Sequence, residues 1–175
     1  MVRVLISITG NYLTMKANEV FIPAITGTSF MTLFSYIAGE IEDENFSEPD
    51  LLSKLYNRID SNVSTQTSKI AGWNTHYLIG VAFALIYAEL WHKMKLRPGI
   101  KHGLAVGAIS GVTAIAAWAT FFKLHPAPPG IHFKKYYAQL WVAHIMFGIV
   151  AALTYKFIKD REIKKKQDAA VLSRC

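Results

Sequence analysis

The stretch HYLIGVAFALIY, residues His76–Tyr87, recurs as HIMFGIVAALTY at residues His144–Tyr155. Each copy has a His, a Gly four positions later, then Ala-Leu and a final Tyr, so five positions match without a gap. Neither copy contains a charged residue. We therefore interpret both stretches as parts of membrane-spanning helices.

Four segments of the chain lack Asp, Glu, Lys and Arg, and each is 19 to 21 residues long. A helix rises about 1.5 Å per residue, so each segment can cross a hydrocarbon core of roughly 30 Å. The hydrophobic content of 52% and the mean hydropathy of +0.24 are high for a soluble domain. We predict an all-α fold, an integral membrane four-helix bundle that forms a single transmembrane domain over residues 1–175. The predicted helices cover about residues 19–40, 70–94, 102–123 and 136–158.

The long connection after the first predicted helix contains a further helical pattern at about residues 49–60. Its apolar residues recur at helical spacing: Leu51, Leu52, Leu55, Tyr56 and Ile59. Two placements of this amphipathic segment are open, on the outer membrane surface or packed over the loop ends of the bundle. Residues 1–14 are too short to span a membrane, and we interpret them as an upstream extension or a short interfacial segment.

A second sequence match supports an internal repeat. Ala24-Ile25-Thr26-Gly27 in the first predicted helix is nearly repeated as Ala108-Ile109-Ser110-Gly111 in the third. The first and second predicted helices therefore correspond to the third and fourth. We predict two tandem helical hairpins, a parallel pseudo-repeat about an axis along the membrane normal.

The formal net charge of +7 is concentrated between the second and third predicted helices and after the fourth. The acidic run at residues 40–44 would lie on the opposite side of the membrane. The positive-inside rule then places both termini in the cytoplasm. Membrane topology and anionic lipid headgroups account for the basic residues, so no nucleic-acid partner is expected.

Small residues recur along one face of several predicted helices, and in lipid such faces allow helix backbones to approach closely. The residues assigned to helix packing are Gly27, Gly103, Gly107, Gly111, Ala84 and Ala152.

The chain resembles a group of small bacterial four-helix inner-membrane proteins that are loosely similar to the YagU-like family. The resemblance rests on the first predicted helix, Phe46-Ser47-Glu48-Pro49, the helices with His76 and His144, and Leu124-His125-Pro126. It implies the four-helix membrane architecture. The group has no assigned activity, so the resemblance implies no catalytic or binding residues.

The sequence offers little catalytic chemistry. No acidic or basic side chain lies in the middle of a predicted span, which weighs against proton-coupled transporters and ion pumps. We find no phosphate-binding loop, zinc-protease motif or nucleophile elbow. The single cysteine, Cys175, excludes an internal disulfide and a cysteine-cluster metal site. We therefore predict no catalytic residues, no metal ligands and no enzymatic activity.

The candidate site residues are His76 and His144, together with Gly80 and Gly148 four positions further on. Both histidines lie at similar depth, because each follows the outer start of its apolar run by six to eight residues. Three interpretations are open. In the first, the histidines form hydrogen bonds that hold the bundle together. In the second, they are the axial ligands of a b-type haem, for which the glycines leave room. In the third, they anchor a lipid, quinone or small solute in a cleft.

The leading prediction is a structural or accessory membrane subunit, or a binder of lipid-like molecules, without a cofactor. The alternative is a haem b electron-transfer protein that uses His76 and His144. The expected partners are membrane lipids, with a homo-oligomer or a larger membrane complex as further possibilities.

Overall fold

A computed structural model describes residues 3–6, 13–59 and 62–172. Two short antiparallel strands lie at the N-terminus, β1 (Arg3–Ile6) and β2 (Leu13–Lys16), with Arg3 opposite Lys16. The five helices are α1 (Asn18–Glu42), α2 (Glu48–Ile59), α3 (Thr65–Lys93), α4 (Ile100–Leu124) and α5 (Phe133–Leu172). Parts of the predicted N-terminal segment 1–14 lie outside the described residues.

Four of these helices, α1, α3, α4 and α5, are long and apolar enough to cross a membrane. Large apolar side chains project from their outer faces, including Ile25, Leu78, Ile109 and Phe157, which are 53–69% exposed. A soluble bundle would bury such residues, whereas a lipid environment accommodates them. The predicted all-α bundle is confirmed, with four helices suited to span a membrane.

Two helices are longer than the sequence predicted. α3 begins at Thr65 rather than near residue 70, because the Ser64 side chain caps it by accepting a hydrogen bond from the Thr67 N–H at 3.1 Å. α5 continues to Leu172 rather than ending near residue 158. Its extension is polar but contains four Lys and two Ala together with Arg, Glu and Gln, which favour helix without an apolar face.

Helix α2 packs on the bundle, which decides between the two placements that the sequence left open. Leu51 and Leu55 are fully buried, and the α3 residue Gly72 lies directly against Pro49 and Ser53. We call the end of the bundle that α2 covers the α2 end. The opposite end, which carries the α3–α4 turn and the charged part of α5, is called the basic end.

The loop between α4 and α5 holds α2 in place. The Arg58 side chain donates hydrogen bonds from Nη1 to the carbonyl oxygens of Ala127 and Pro128, at 3.0 and 2.7 Å. The His125 Nδ1 accepts a hydrogen bond from the Ala127 N–H, so its Nε2–H donates to the Leu55 carbonyl at 3.3 Å. These contacts connect α2 to a loop whose prolines fix the backbone.

Helix α5 contacts both α1 and α4, and α1 also contacts α3. The closest approach is between α4 and α5, where Gly103 and Gly107 lie against the backbone at His144 and Gly148. On the other side of α5, Gly27 of α1 lies against the ring of Phe147. These glycines lie where two helices touch, which is the environment that the packing prediction requires.

Gly107→Ala is expected to destabilise the bundle. An added Cβ would lie 2.6 Å from the His144 carbonyl oxygen and 2.7 Å from the Ile145 Cα, so the backbones of α4 and α5 must separate. Overpacking of this kind costs about 1–3 kcal/mol. The midpoint of unfolding in a mixed-detergent titration, followed by circular dichroism, measures the effect.

The matched control is Gly130→Ala, because no atom lies within 4 Å of an added Cβ at that position. The control should keep the wild-type midpoint. Equal midpoints for the two variants would show that the α4–α5 contact is not a tight one.

Candidate functional site

A cavity of about 280 Å³ lies inside the bundle toward the α2 end. All five helices contribute to its wall, and His76 of α3 and His144 of α5 both line it. The two histidines that the sequence singled out therefore share one cavity. Most of the remaining wall is apolar, including Met31, Phe83 and Trp118.

His76 is buried and held by α1. Its Nε2 lies 2.9 Å from the Thr32 hydroxyl, which itself lies 2.8 Å from the Thr28 carbonyl oxygen. A hydroxyl carries one hydrogen, so when Thr32 donates it to the carbonyl it accepts a hydrogen bond from the His76 Nε2–H. The Nδ1 of a neutral His76 is then an acceptor.

His144 is buried and held by its own helix. Its Nδ1 lies 2.9 Å from the Leu140 carbonyl oxygen, and because a carbonyl only accepts, Nδ1 carries the hydrogen. The Nε2 of a neutral His144 is therefore an acceptor as well. The Phe83 ring packs edge-on against the imidazole, with 5.6 Å between ring centroids.

A third polar side chain, Glu48, reaches the same cavity from α2. It is 2% exposed, and the hydroxyl of Ser35 lies 3.1 Å from its Oε1, while Oε2 has no hydrogen-bond partner in the described part of the chain. Gln139 of α5 donates to the Ser35 hydroxyl at 2.6 Å. Burial raises the pKa of Glu48 to about 7.

Sequence reasoning missed Glu48, because the charge-free runs directed attention to the spanning helices alone. No carboxylate belongs to the middle of a span, but α2 carries one into the interior from outside the spans. A signal was present. Glu48 lies three residues before Leu51 and seven before Leu55, on the same face of α2 as these two buried leucines.

An apolar groove of about 400 Å³ lies beside the cavity, between α2, α3 and α4. Four residues line both spaces, namely Leu52, Ile79, Ala117 and Trp118. Ile79 and Phe121 of the groove are 45% and 43% exposed, so the groove is open to the surroundings of the bundle. The cavity therefore adjoins an apolar surface that a hydrocarbon chain can reach from the side.

Further along toward the basic end, α3 and α4 meet through polar side chains. The Tyr87 hydroxyl lies 2.5 Å from the Ser110 hydroxyl. Ser110 in turn donates to the Gly107 carbonyl at 3.0 Å. This bridge separates the groove and cavity from the basic end.

The two glycines of the candidate site lie in helix contacts. The space beside Gly80 is filled by the Thr28 side chain, and Gly148 lies against Gly103 and Gly107. The haem interpretation needed both glycines to leave room for a flat macrocycle. Gly80 lines the cavity, but the Thr28 side chain occupies the space over it, and Gly148 faces α4 instead. The surroundings of Gly80 and Gly148 therefore do not fit a haem.

No protein-family model matches the chain, and neither a curated protein nor a solved structure matches it. The resemblance to small four-helix bacterial membrane proteins therefore stays a prediction from the sequence. The properties of the site are taken from its geometry.

The contribution of Glu48 to the stability of the bundle should fall as the pH rises from about 5 to 8. The pKa of Glu48 is 4.5 in its ordinary state and about 7 in the folded protein, so within this window the folded state binds more protons than the unfolded state. This contribution to the free energy of unfolding then decreases with pH, by roughly 3 kcal/mol, and it appears as the difference between wild type and a variant that lacks the carboxyl. Thermal unfolding in detergent at a series of pH values measures this slope.

The Glu48→Gln variant has no ionisable group at this position, so this part of the pH dependence of the free energy of unfolding should be lost. The variant should also be more stable than wild type at pH 8. Glu40→Gln removes an exposed carboxylate at the same end and should keep the slope. A wild-type slope in Glu48→Gln would show that the Glu48 carboxyl is not buried in the folded protein.

Proposed function

We propose that the chain crosses a bacterial inner membrane with α1, α3, α4 and α5, both termini being cytoplasmic. The apolar outer faces of the four helices support insertion. The orientation is supported by the charges. Lys93, Lys95, Arg97 and Lys101 lie at the α3–α4 turn of the basic end, and further lysines follow along the extension of α5.

Within this membrane protein, we propose that the cavity holds the polar head of a lipid-like molecule. The observation that carries the proposal is the convergence of Glu48, His76 and His144 on one cavity beside an open apolar groove. Among the described residues, two that line this cavity have a buried polar side-chain atom without a hydrogen-bond partner, Glu48 at Oε2 and Thr28 at its hydroxyl, and a ligand would supply the missing partners. The protein would act as a binding or accessory subunit without catalysis.

The chemistry of the cavity selects the head group. The Oε2 of Glu48, the Nδ1 of His76 and the Nε2 of His144 are all acceptors when Glu48 is ionised and the histidines are neutral. A head group that carries several N–H or O–H donors would satisfy them, and a primary ammonium group would also pair with the ionised carboxylate of Glu48. The hydrocarbon part would lie in the groove lined by Leu55, Ile79 and Phe121.

The orientation can be tested with Cys175, the only cysteine of the chain. A membrane-impermeant maleimide should label Cys175 in inside-out vesicles and not in intact spheroplasts. Mass spectrometry of the purified protein measures the labelling.

The matched control moves the thiol to the α2 end, in the double variant Cys175→Ser with Glu44→Cys. This variant should show the reverse pattern. Labelling of both positions from the same side, or recovery of the protein in the carbonate-soluble fraction, would contradict the proposed membrane topology.

Ligand binding can be tested by quenching of Trp118, which lines both the cavity and the groove. A long-chain primary amine with a brominated alkyl chain should quench it, and Trp118→Phe should lose most of this quenching. Glu48→Gln should weaken amine binding by at least about tenfold, because a hydrogen bond to a charged group contributes about 1.5–3 kcal/mol.

Two controls make the binding test specific. Glu40→Gln removes an exposed carboxylate and should change the affinity by less than about twofold. The brominated alcohol of the same chain length should bind wild type and Glu48→Gln about equally, since it lacks the ammonium charge. Equal amine affinity in Glu48→Gln and wild type would overturn the proposed role of the carboxylate.

A further inference from the structure

A second groove, distinct from the central cavity, runs between α1 and α5 at the basic end. It encloses about 600 Å³. Its part nearer the middle of the bundle is lined by Ile22 and Thr26 of α1 and by Thr154 and Phe157 of α5. Residues of the α5 extension line the other part.

The inner part of the groove presents a surface suited to a hydrocarbon chain. The hydroxyl groups of Thr26 and Thr154 lie 3.2 Å apart and hydrogen-bond to each other across the two helices. Their methyl groups and the partly exposed side chains of Ile22 and Phe157 remain for contact, the latter two being 44% and 55% exposed. The groove is therefore accessible from the side of the bundle.

The outer part of the groove carries an excess of positive charge. Lys16 is paired with Glu162 at 2.6 Å, which neutralises both. Arg161, Lys165 and Lys166 also line the groove, and none of the three has a carboxylate within ion-pairing distance among the described residues. These three cations form the rim of the groove.

Arg161 connects the two parts of the groove. Its guanidinium lies 4.4 Å from the centroid of the Phe157 ring, a cation–π contact that keeps the charge beside the apolar surface. A molecule that fits the whole groove must therefore combine a hydrocarbon chain with an anionic group. The anionic group would lie about two helical turns further along α5 than the apolar part of the groove. Phospholipids with a net negative charge have this form, and basic sites of this kind bind anionic headgroups.

We propose that the α1–α5 groove binds an anionic phospholipid, with an acyl chain over Ile22 and Phe157 and the phosphate at Arg161, Lys165 and Lys166. The site rests on the proposed membrane location but not on the ligand of the central cavity. It would anchor the α5 extension to the membrane surface and stabilise the contact between α1 and α5. The charge of the rim distinguishes this groove from the one at the α2 end, whose lining contains no charged residue.

The test uses the full-length protein in nanodiscs of phosphatidylcholine, into which phosphatidylglycerol is titrated. Lipid carried by the protein is counted by native mass spectrometry after extraction into detergent. Wild type should retain phosphatidylglycerol in preference to phosphatidylcholine. The triple variant Arg161→Gln, Lys165→Gln, Lys166→Gln should lower this preference by at least about tenfold.

The matched control removes the same number of positive charges from a second basic cavity at the same end, in the triple variant Lys95→Gln, Arg97→Gln, Lys156→Gln. It should lower the preference by less than about twofold if the groove is the site. Equal losses in the two triple variants would overturn the proposal, because they would show general attraction of the basic end to anionic lipid.

Two further outcomes separate the alternatives. Competition by millimolar glycerol 3-phosphate would show that the rim binds a small phosphate ester and would overturn the lipid assignment, whereas absence of competition supports it. The Cys175 labelling pattern, measured on vesicles and spheroplasts before purification, reports separately whether the protein is inserted as proposed. If wild type shows no preference for phosphatidylglycerol although its labelling pattern is correct, the result contradicts the groove proposal and leaves the membrane topology standing.

Discussion

The close contact between the backbones of α4 and α5 is the constraint on which the rest of the structure depends. Gly103 and Gly107 lie against the backbone at His144 and Gly148, at a separation that no side chain could permit. Lipid supplies no hydrophobic driving force between helices, so such packing would supply much of their association in a membrane. The contact also fixes His144 in position, because its carbonyl is part of the packed surface.

The opposite pair of helices, α3 and α5, is held apart by aromatic side chains. Trp91 packs on Tyr155 with ring centroids 5.2 Å apart, and Tyr87 packs on Phe147 at 5.7 Å. Because these rings fill the middle of the bundle toward the basic end, the space that they leave lies toward the α2 end. The cavity with His76 and His144 is that space, and α2 covers it.

The spanning helices could be predicted from the sequence because absence of charge over about twenty residues is a local property that needs no tertiary information. The sequence also indicated that His76 and His144 lie near each other, because two matching stretches place them at similar depth. The sequence indicated the burial of Glu48 less strongly, because this burial depends on where α2 packs. An amphipathic helix fits a membrane surface and a protein surface equally well. The length of α5 was underestimated because its extension is helical without being apolar.

The two hairpins of the predicted tandem repeat differ in how their helices pack. In the first hairpin Gly80 of α3 lies against Thr28 of α1, and Val112 of α4 is the residue that corresponds to Thr28. Val112 is 61% exposed, and Gly148 of α5 lies instead against Gly107 and Gly103, about one and a half and two and a half turns before Val112 in α4. The two hairpins thus pack at different registers, and the repeat itself stays a prediction from the sequence.

A carboxyl group that is buried without a full set of hydrogen-bond partners destabilises a fold. Neighbouring side chains nevertheless hold the Glu48 carboxyl group in this position. Ser35 and Gln139 form a chain of hydrogen bonds that ends on the Glu48 carboxyl. The helix that carries Glu48 is fixed at its other end by Arg58 and His125 through the α4–α5 loop. An apolar residue at position 48 would make the fold more stable, since burying an uncompensated polar group costs about 1–3 kcal/mol. The ligand proposed above would complete the hydrogen bonds of this carboxyl and of the two imidazoles.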